Sequence, residues 1–367
     1  MANKSISYQS FCWVIGTTSF RTAKLNLKIE EQLLLLDEFY NEVINKSSWN
    51  WNNDLQEKYY DFMKDRDFLT GDASRKDKDA REKTSGLVDI GLITEDRLIT
   101  EAGRALLKIT HDGIFEVDNV FNINKDSFIY LKQILKTSID VSGSIVRPFI
   151  TVIKCLVELD FLSYDEFTYF IPLIRDDESA KQIISDIRLY RDGKISPAEI
   201  IYNSLIQMDN YKLAQEKFLT SNVDENLICI VGMNRKSRNY DKPYYKLYES
   251  LKKVFLDGEG EYASLFIATK NINQKPGILW RRLLFRLSNI GAVRKNGKAS
   301  ICRECPFINC TNEMELKKVF FKYLHVFKAM ATLLDYFDLN RRYLNITDTI
   351  IFENSIIKLD IIPKYYF

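Results

Sequence analysis

Three thiols fall within nine residues in the run Cys302-Arg303-Glu304-Cys305-Pro306-Phe307-Ile308-Asn309-Cys310. Structural zinc takes four ligands of Cys and His type, so Cys302, Cys305 and Cys310 could hold three corners of a Zn2+ site. His325 is the candidate for the fourth, although it lies farther from Cys310 than the usual finger spacing and sits in a helical stripe. The alternative leaves the three as plain thiols. The other cysteines, Cys12, Cys155 and Cys229, are scattered and form no secreted disulfide framework, so reduced thiols are expected throughout.

The second chemical signal is charge. Net charge is only +2, but a polyanion responds to local placement rather than to the total. Between Glu261 and Glu304 lie Lys270, Lys275, Arg281, Arg282, Arg286, Arg294, Lys295, Lys298 and Arg303, with no Asp or Glu among them. A solvated face of a balanced surface intersperses both signs, so a one-signed stretch of this length predicts an anionic partner. A shorter basic run, residues 234–243, adds Arg235, Lys236, Arg238 and Lys242.

The elements that must position these residues repeat. Three times a helix ends at a short loop and is followed by two brief strand-like runs around a turn. In the first copy Ala80–Ile90 is helical, Gly91 stops it, and Leu92-Ile93 and Arg97-Leu98-Ile99 flank Thr94-Glu95-Asp96. Thr100-Glu101-Ala102-Gly103 then opens a further helix through Leu106 and Leu107. In the second copy Trp280, Leu283, Leu284, Leu287 and Ile290 recur at helical spacing, which leaves Arg281, Arg282 and Arg286 to other faces. Gly291 ends that helix, and Ala292-Val293-Arg294 turns through Lys295-Asn296-Gly297-Lys298 into Ala299-Ser300-Ile301, where Asn-Gly is a strong hairpin signal. The third copy places Val326, Phe327, Met330, Leu333, Leu334 and Phe337 on one stripe. Its wing is expected at Tyr343–Ile346 and Thr349–Phe352, turning at Glu353-Asn354-Ser355 into Ile356–Ile361.

Plainer helices separate the first two copies: Ser127–Thr137, Pro148–Leu159, Ala180–Tyr190 and the region Ile195–Leu219. The fold class that follows is mainly α with small β wings, arranged as tandem winged-helix (helix-turn-helix) subdomains. The expected division is 1–125 (N-terminal segment and first winged unit), 126–222 (helical) and 223–367 (two winged units). A chain of 367 residues with 46% apolar and 28% charged residues can bury more than one core. It has neither a signal-peptide pattern nor an apolar run of bilayer length, so a cytoplasmic protein without a membrane partner is expected.

The order of segments resembles the N-terminal recognition region of AlwI-type type IIS restriction endonucleases, the group that includes BstNBI, PleI and MlyI. The resemblance lies in Trp13–Arg21, the following helix Leu27–Tyr40, Gly86–Leu106, Phe128–Gln133, Ser163–Phe167, the Ile183–Arg191 helix and Tyr336–Asp360; Val223–Cys310 matches less clearly. It implies sequence-specific recognition of double-stranded DNA at a short asymmetric site outside which the enzyme cuts; because unlike repeats within one chain can replace a symmetric dimer, a monomer on the DNA is expected. It also implies a separate Mg2+-dependent PD-(D/E)xK nuclease domain, expected as a domain or subunit beyond these residues. Asp192-Gly193-Lys194 and Glu315-Leu316-Lys317 formally fit the (D/E)xK fragment, but neither has a hydrophobic strand to present its carboxylate to a metal. No catalytic residue is therefore assigned.

Arg can read guanine bidentately and Lys can hold phosphates. The DNA-binding candidates are Arg21, Lys24, Arg81, Arg235, Lys236, Arg238, Lys242, Arg281, Arg282, Arg286, Arg294, Lys295 and Lys298. Two rivals remain open. A winged-helix transcriptional regulator would bind a palindrome as a symmetric dimer. A protein-interaction scaffold would show no salt-dependent DNA binding.

Overall fold

A computed structural model of the chain describes residues 6–16, 20–42, 49–117, 119–233, 241–258, 307 and 309–360, with the strand residues 293–295 and 298–300. In chain order the helices are α1 (Leu25–Glu42), α2 (Asn53–Asp65), α3 (Lys76–Asp89), α4 (Glu101–Asp112) and α5 (Lys125–Lys136). Strands β1 (Ile139–Val141) and β2 (Ser144–Val146) precede α6 (Pro148–Leu159), β3 (Leu162–Ser163) and α7 (Tyr164–Tyr169). Then come α8 (Asp177–Arg191), α9 (Pro197–Leu205), α10 (Asp209–Thr220), α11 (Glu225–Val231) and α12 (Lys242–Lys252). Strands β4 (Val293–Lys295) and β5 (Lys298–Ser300), α13 (Glu313–Asn345), β6 (Ile350–Glu353) and β7 (Ile356–Leu359) complete the order. The protein is mainly helical with small antiparallel sheets. Among the described residues no helix is long and apolar enough to cross a membrane.

The chain forms two compact units, each discontinuous in sequence. One comprises Met1–Cys12, Val141–Gly143 and Asp177–Asp335; the other comprises Trp13–Asp140, Ser144–Asp176 and Tyr336–Phe367. In the first, α10, α12 and α13 share an aromatic core in which Phe218 lies 5.4 Å from Phe321 and Tyr248 lies 5.2 Å from Phe320, ring centre to ring centre. Such pairs add to what apolar burial alone contributes. In the second, Trp13, Phe39, Tyr59, Tyr130, Phe149 and Tyr343 are fully buried. A sheet in the order β3-β7-β6 closes one side of it. β7 pairs antiparallel with both neighbours, Leu162 facing Ile357 and Ile350 facing Leu359.

Helix starts follow from local chemistry. Asn52, Thr100 and Asp224 accept hydrogen bonds from backbone N–H groups of α2, α4 and α11, and Ser163/Glu166 and Ser196/Glu199 form capping boxes on α7 and α9. The expected third wing is corrected in one respect. Tyr343, Leu344 and Asn345 are the last turn of α13 rather than a strand, because the buried face of that helix continues through Leu339, Tyr343 and Leu344. Leu334, expected on its apolar stripe, is exposed. The hairpin that follows turns at Asn354-Ser355, both at positive φ (50° and 62°), as a two-residue primed turn demands.

Candidate nucleic-acid interface

The first repeated unit is built tightly. α3 ends before Gly91, which adopts φ +70°, and Gln133 of α5 donates from Nε2 to the carbonyls of Ile90 (2.9 Å) and Gly91 (3.0 Å). Ile93 and Ile99 form a single antiparallel bridge, and the Thr94 N–H donates to the Leu98 carbonyl at 2.8 Å. Thr100 caps α4 by accepting from the Gly103 N–H (3.2 Å), while its hydroxyl lies 2.9 Å from the Gly91 carbonyl. Gly103 is required by contact: a Cβ there would lie 2.3 Å from the Leu92 carbonyl oxygen.

The charges of the two flanking helices differ. Asp77 takes both Arg75 (2.7 Å) and Arg81 (3.1 Å), and the Arg75 hydrogen bond is the first cause holding its carboxyl below the ordinary carboxylate range. Lys76 pairs with Asp61 at 2.7 Å and Lys78 with Glu82 at 3.4 Å. The candidate Arg81 thus already has a counter-ion. The turn beyond α3 is acidic at its tip, where the Glu95 side chain is 89% exposed, while Arg97 is drawn inward. Its Nε donates to the Thr84 hydroxyl at 3.1 Å, and its guanidinium lies 5.6 Å from the Trp51 ring centre. On α4, Arg104, Lys108 and His111 are exposed. Among the described residues no carboxylate forms an ion pair with Arg104 or Lys108. The sequence reading passed over these residues, although their spacing of four and three within a capped helix was visible.

Of the other candidates in the same unit, Lys24 is exposed and Arg21 half-buried just ahead of α1. In the other unit, Lys242 is exposed in the first turn of α12, one turn before the exposed Lys246, which the sequence reading also passed over. That first turn contains no acidic residue. The expected second hairpin is present as β4 and β5, with Arg294 facing Ala299 and Lys295 facing Lys298 in the register. Arg235, Lys236, Arg238, Arg281, Arg282, Arg286, Cys302 and Cys305 lie outside the described residues, as does the helix expected at Trp280–Ile290.

His325 is not the free zinc ligand that its position suggested. It is buried on α13, with Nδ1 3.0 Å from the Phe321 carbonyl and Nε2 2.8 Å from the Val231 carbonyl, so neither nitrogen is open to a metal. Burial pushes its pKa down to about 3, against the two carbonyls, which favour the imidazolium. Cys310 is buried, and burial raises its thiol pKa. Among the described residues no group of three or more His, Cys, Asp and Glu is arranged to hold a metal ion.

The two (D/E)xK fragments have structural roles. Asp192 pairs with Lys194 at 2.9 Å beyond the end of α8. Glu315 accepts from the Thr311 N–H at 2.7 Å, and Lys317 donates to the Ser221 carbonyl at 2.8 Å. A cleft of about 360 Å³ beside β6 is lined by Asn345, Asp348, Glu353 and Asp360 together with apolar side chains. Its acidic lining suits no phosphate.

Compared with known protein families, residues 88–367 match the one described as AlwI restriction endonuclease. No curated protein matches the chain.

Proposed function

Because this chain belongs to the AlwI restriction endonuclease family, we propose that it recognises duplex DNA as part of a type IIS restriction enzyme. On this reading it binds a short asymmetric site as a monomer, and Mg2+-dependent hydrolysis of phosphodiester bonds takes place outside that site. The observation that carries the proposal is the family match over residues 88–367. The acid-free basic stretch between Glu261 and Glu304, inside that match, supports it. Binding of such a stretch releases the counter-ions condensed on a polyanion, which makes affinity strongly salt-dependent.

The contact set comprises Arg21, Lys24, Lys242, Arg294, Lys295 and Lys298, with Arg235, Lys236, Arg238, Arg281, Arg282 and Arg286 from the two basic runs. Arg81 joins only by exchanging Asp77 for a phosphate. The three repeated units act as winged helices in this proposal, a helix in the major groove and a hairpin against the backbone. No Mg2+ ligand is assigned among the described residues, since none of their carboxylates are grouped to hold one. The hydrolytic carboxylates are assigned, within the same proposal, to a nuclease domain or subunit outside the described residues.

Footprinting on a library of duplexes tests this reading. A protected asymmetric site with one copy of the chain bound is the expected result. A two-fold footprint would move the protein to the transcriptional regulators, and no salt-dependent binding would make it a protein scaffold.

A further inference from the structure

We infer that α4, rather than α3, is the helix through which the second unit meets the duplex backbone, with Arg104 and Lys108 as phosphate contacts. This rests on the proposal that the chain binds DNA. At 3.6 residues per turn Arg104, Lys108 and His111 fall within about 60° of one another around the helix axis, and the two strong cations are one turn apart, about 5–6 Å between Cβ atoms. All three are exposed, and Arg104 and Lys108 have no ion-pair partner among the described residues. The His111 ring lies 3.3 Å from the Asp112 carboxylate, so it is the weakest of the three.

The alternative in the same unit is α3 with its following turn, and its exposed cations are paired, only the half-buried Lys83 lacking an ion-pair partner among the described residues. Every exposed cation from Arg75 to Arg81 is within ion-pairing distance of a carboxylate, and the tip beyond it carries Glu95 and Asp96. A phosphate approaching α3 must displace Asp77, Asp61 or Glu82 and then meet an acidic turn. A phosphate approaching α4 displaces only water.

The same helix is held rigidly, which is what a backbone contact needs. Leu106 is fully buried, Gly103 brings the α4 backbone onto the Leu92 carbonyl, and Thr100 ties the first turn to Gly91. The side of α4 that faces inward is thus fixed by packing, and its position around the axis leaves Arg104 and Lys108 on the outside. A solvated helix face that only tunes solubility would have no reason to leave its exposed cations open while the neighbouring helix closes its exposed ones.

The test uses the full chain and a fluorescein-labelled mixed-sequence duplex of 30 base pairs, titrated by anisotropy across a KCl series. Phosphate contacts carry sequence-independent binding, and each contributes about 0.9 to the slope of log K against log salt. The Arg104→Ala/Lys108→Ala variant should flatten that slope by about two units, while Lys76→Ala/Lys78→Ala, which removes two charges from α3, leaves it unchanged. Neither Arg104 nor Lys108 is buried, so melting should match wild type. Lys108→Glu, a single charge reversal, serves as a second variant should the double substitution fold poorly, and it should also flatten the slope. If wild type binds and both α4 variants keep its affinity and slope, this inference is overturned while the DNA reading stands. If the α3 variant flattens the slope as much as the α4 variant, the assignment to α4 is overturned. If wild type shows no salt-dependent binding at all, the DNA reading itself falls.

Discussion

α3 and α4 flank one turn, share one core and carry similar cations, yet they present opposite faces to a polyanion. On α3 the acidic residues lie one turn from the basic ones, so Lys78 meets Glu82 and Arg81 meets Asp77 before any ligand arrives. On α4 the only acidic residues are Glu101 at the start and Asp112 at the end, and Arg104 and Lys108 between them stay unpaired among the described residues. Counting cations therefore misjudges a surface; what a polyanion meets is the charge left over after local pairing. Glu30 of α1 differs from both, a buried carboxylate that accepts from the Tyr130 hydroxyl at 3.1 Å and has no cation beside it among the described residues.

The sharpest break of the comparison removes the scaffold that holds α4 in place. Leu106→Ala deletes a fully buried side chain and should destabilise the protein by about 2–5 kcal/mol, read as a lower urea midpoint. An unchanged midpoint would mean that α4 is not anchored through Leu106.

The next effect is nearly as large and depends on pH. Burial raises the Glu30 pKa from 4.5 to about 7, so the folded state binds its proton more tightly than the unfolded chain does. The stability this adds is complete below about pH 4.5 and is lost as pH rises through about 7. Glu30→Gln keeps an oxygen for the Tyr130 hydroxyl and carries no charge. It should be more stable than wild type at pH 8 by about 2–3 kcal/mol and equal to it at pH 4. Parallel unfolding curves at the two pH values check this, and equal stability at both would place Glu30 in a solvated site. His325 pulls the other way. Its lowered pKa adds stability that is present above about 6.5 and is lost as pH falls toward 3, so the Glu30 effect is cleanest as a difference between variant and wild type.

A smaller effect would reverse the contrast between the two helices. Asp77→Ala removes the carboxylate shared by Arg75 and Arg81 and leaves both guanidinium groups open. On the DNA reading the salt slope should steepen by about one to two units, while loss of an acidic residue from the first turn of α3 weakens the helix start only slightly. A slope that does not move would show that α3 faces away from the duplex whatever its charge. The smallest effect is Lys78→Ala. Its pair with Glu82 is exposed on both sides, so stability should change by about 0.5 kcal/mol or less. A larger loss would mean that the α3 pairs are more than surface compensation.

Much of the local structure was legible in the residues. Pro148 and Leu159 bound α6 as expected, Gly91 ends the first unit's helix, and β4 and β5 pair on either side of the Asn-Gly signal in the sequence. These are short-range events, set by a missing N–H, a positive φ or a side-chain cap. The pattern does not announce α2, although Asn52 caps it, and it ends α13 before Tyr343, short of the observed Asn345. Periodicity alone does not say whether an aromatic such as Tyr343 belongs to a strand or to a helix that continues across a core.

What the sequence determined by itself is the class of the protein: a mainly helical chain, turns where Gly, Asn and Ser demand them, and a one-signed basic stretch before Glu304. Tertiary structure decided which of its charged and metal-capable residues are available. Asp61 closes Lys76 from fifteen residues away, and the Val231 carbonyl faces a nitrogen of His325 across a gap of 94 residues. Availability is a property of neighbours in space, because desolvation and pairing act over a few ångströms whatever the separation along the chain.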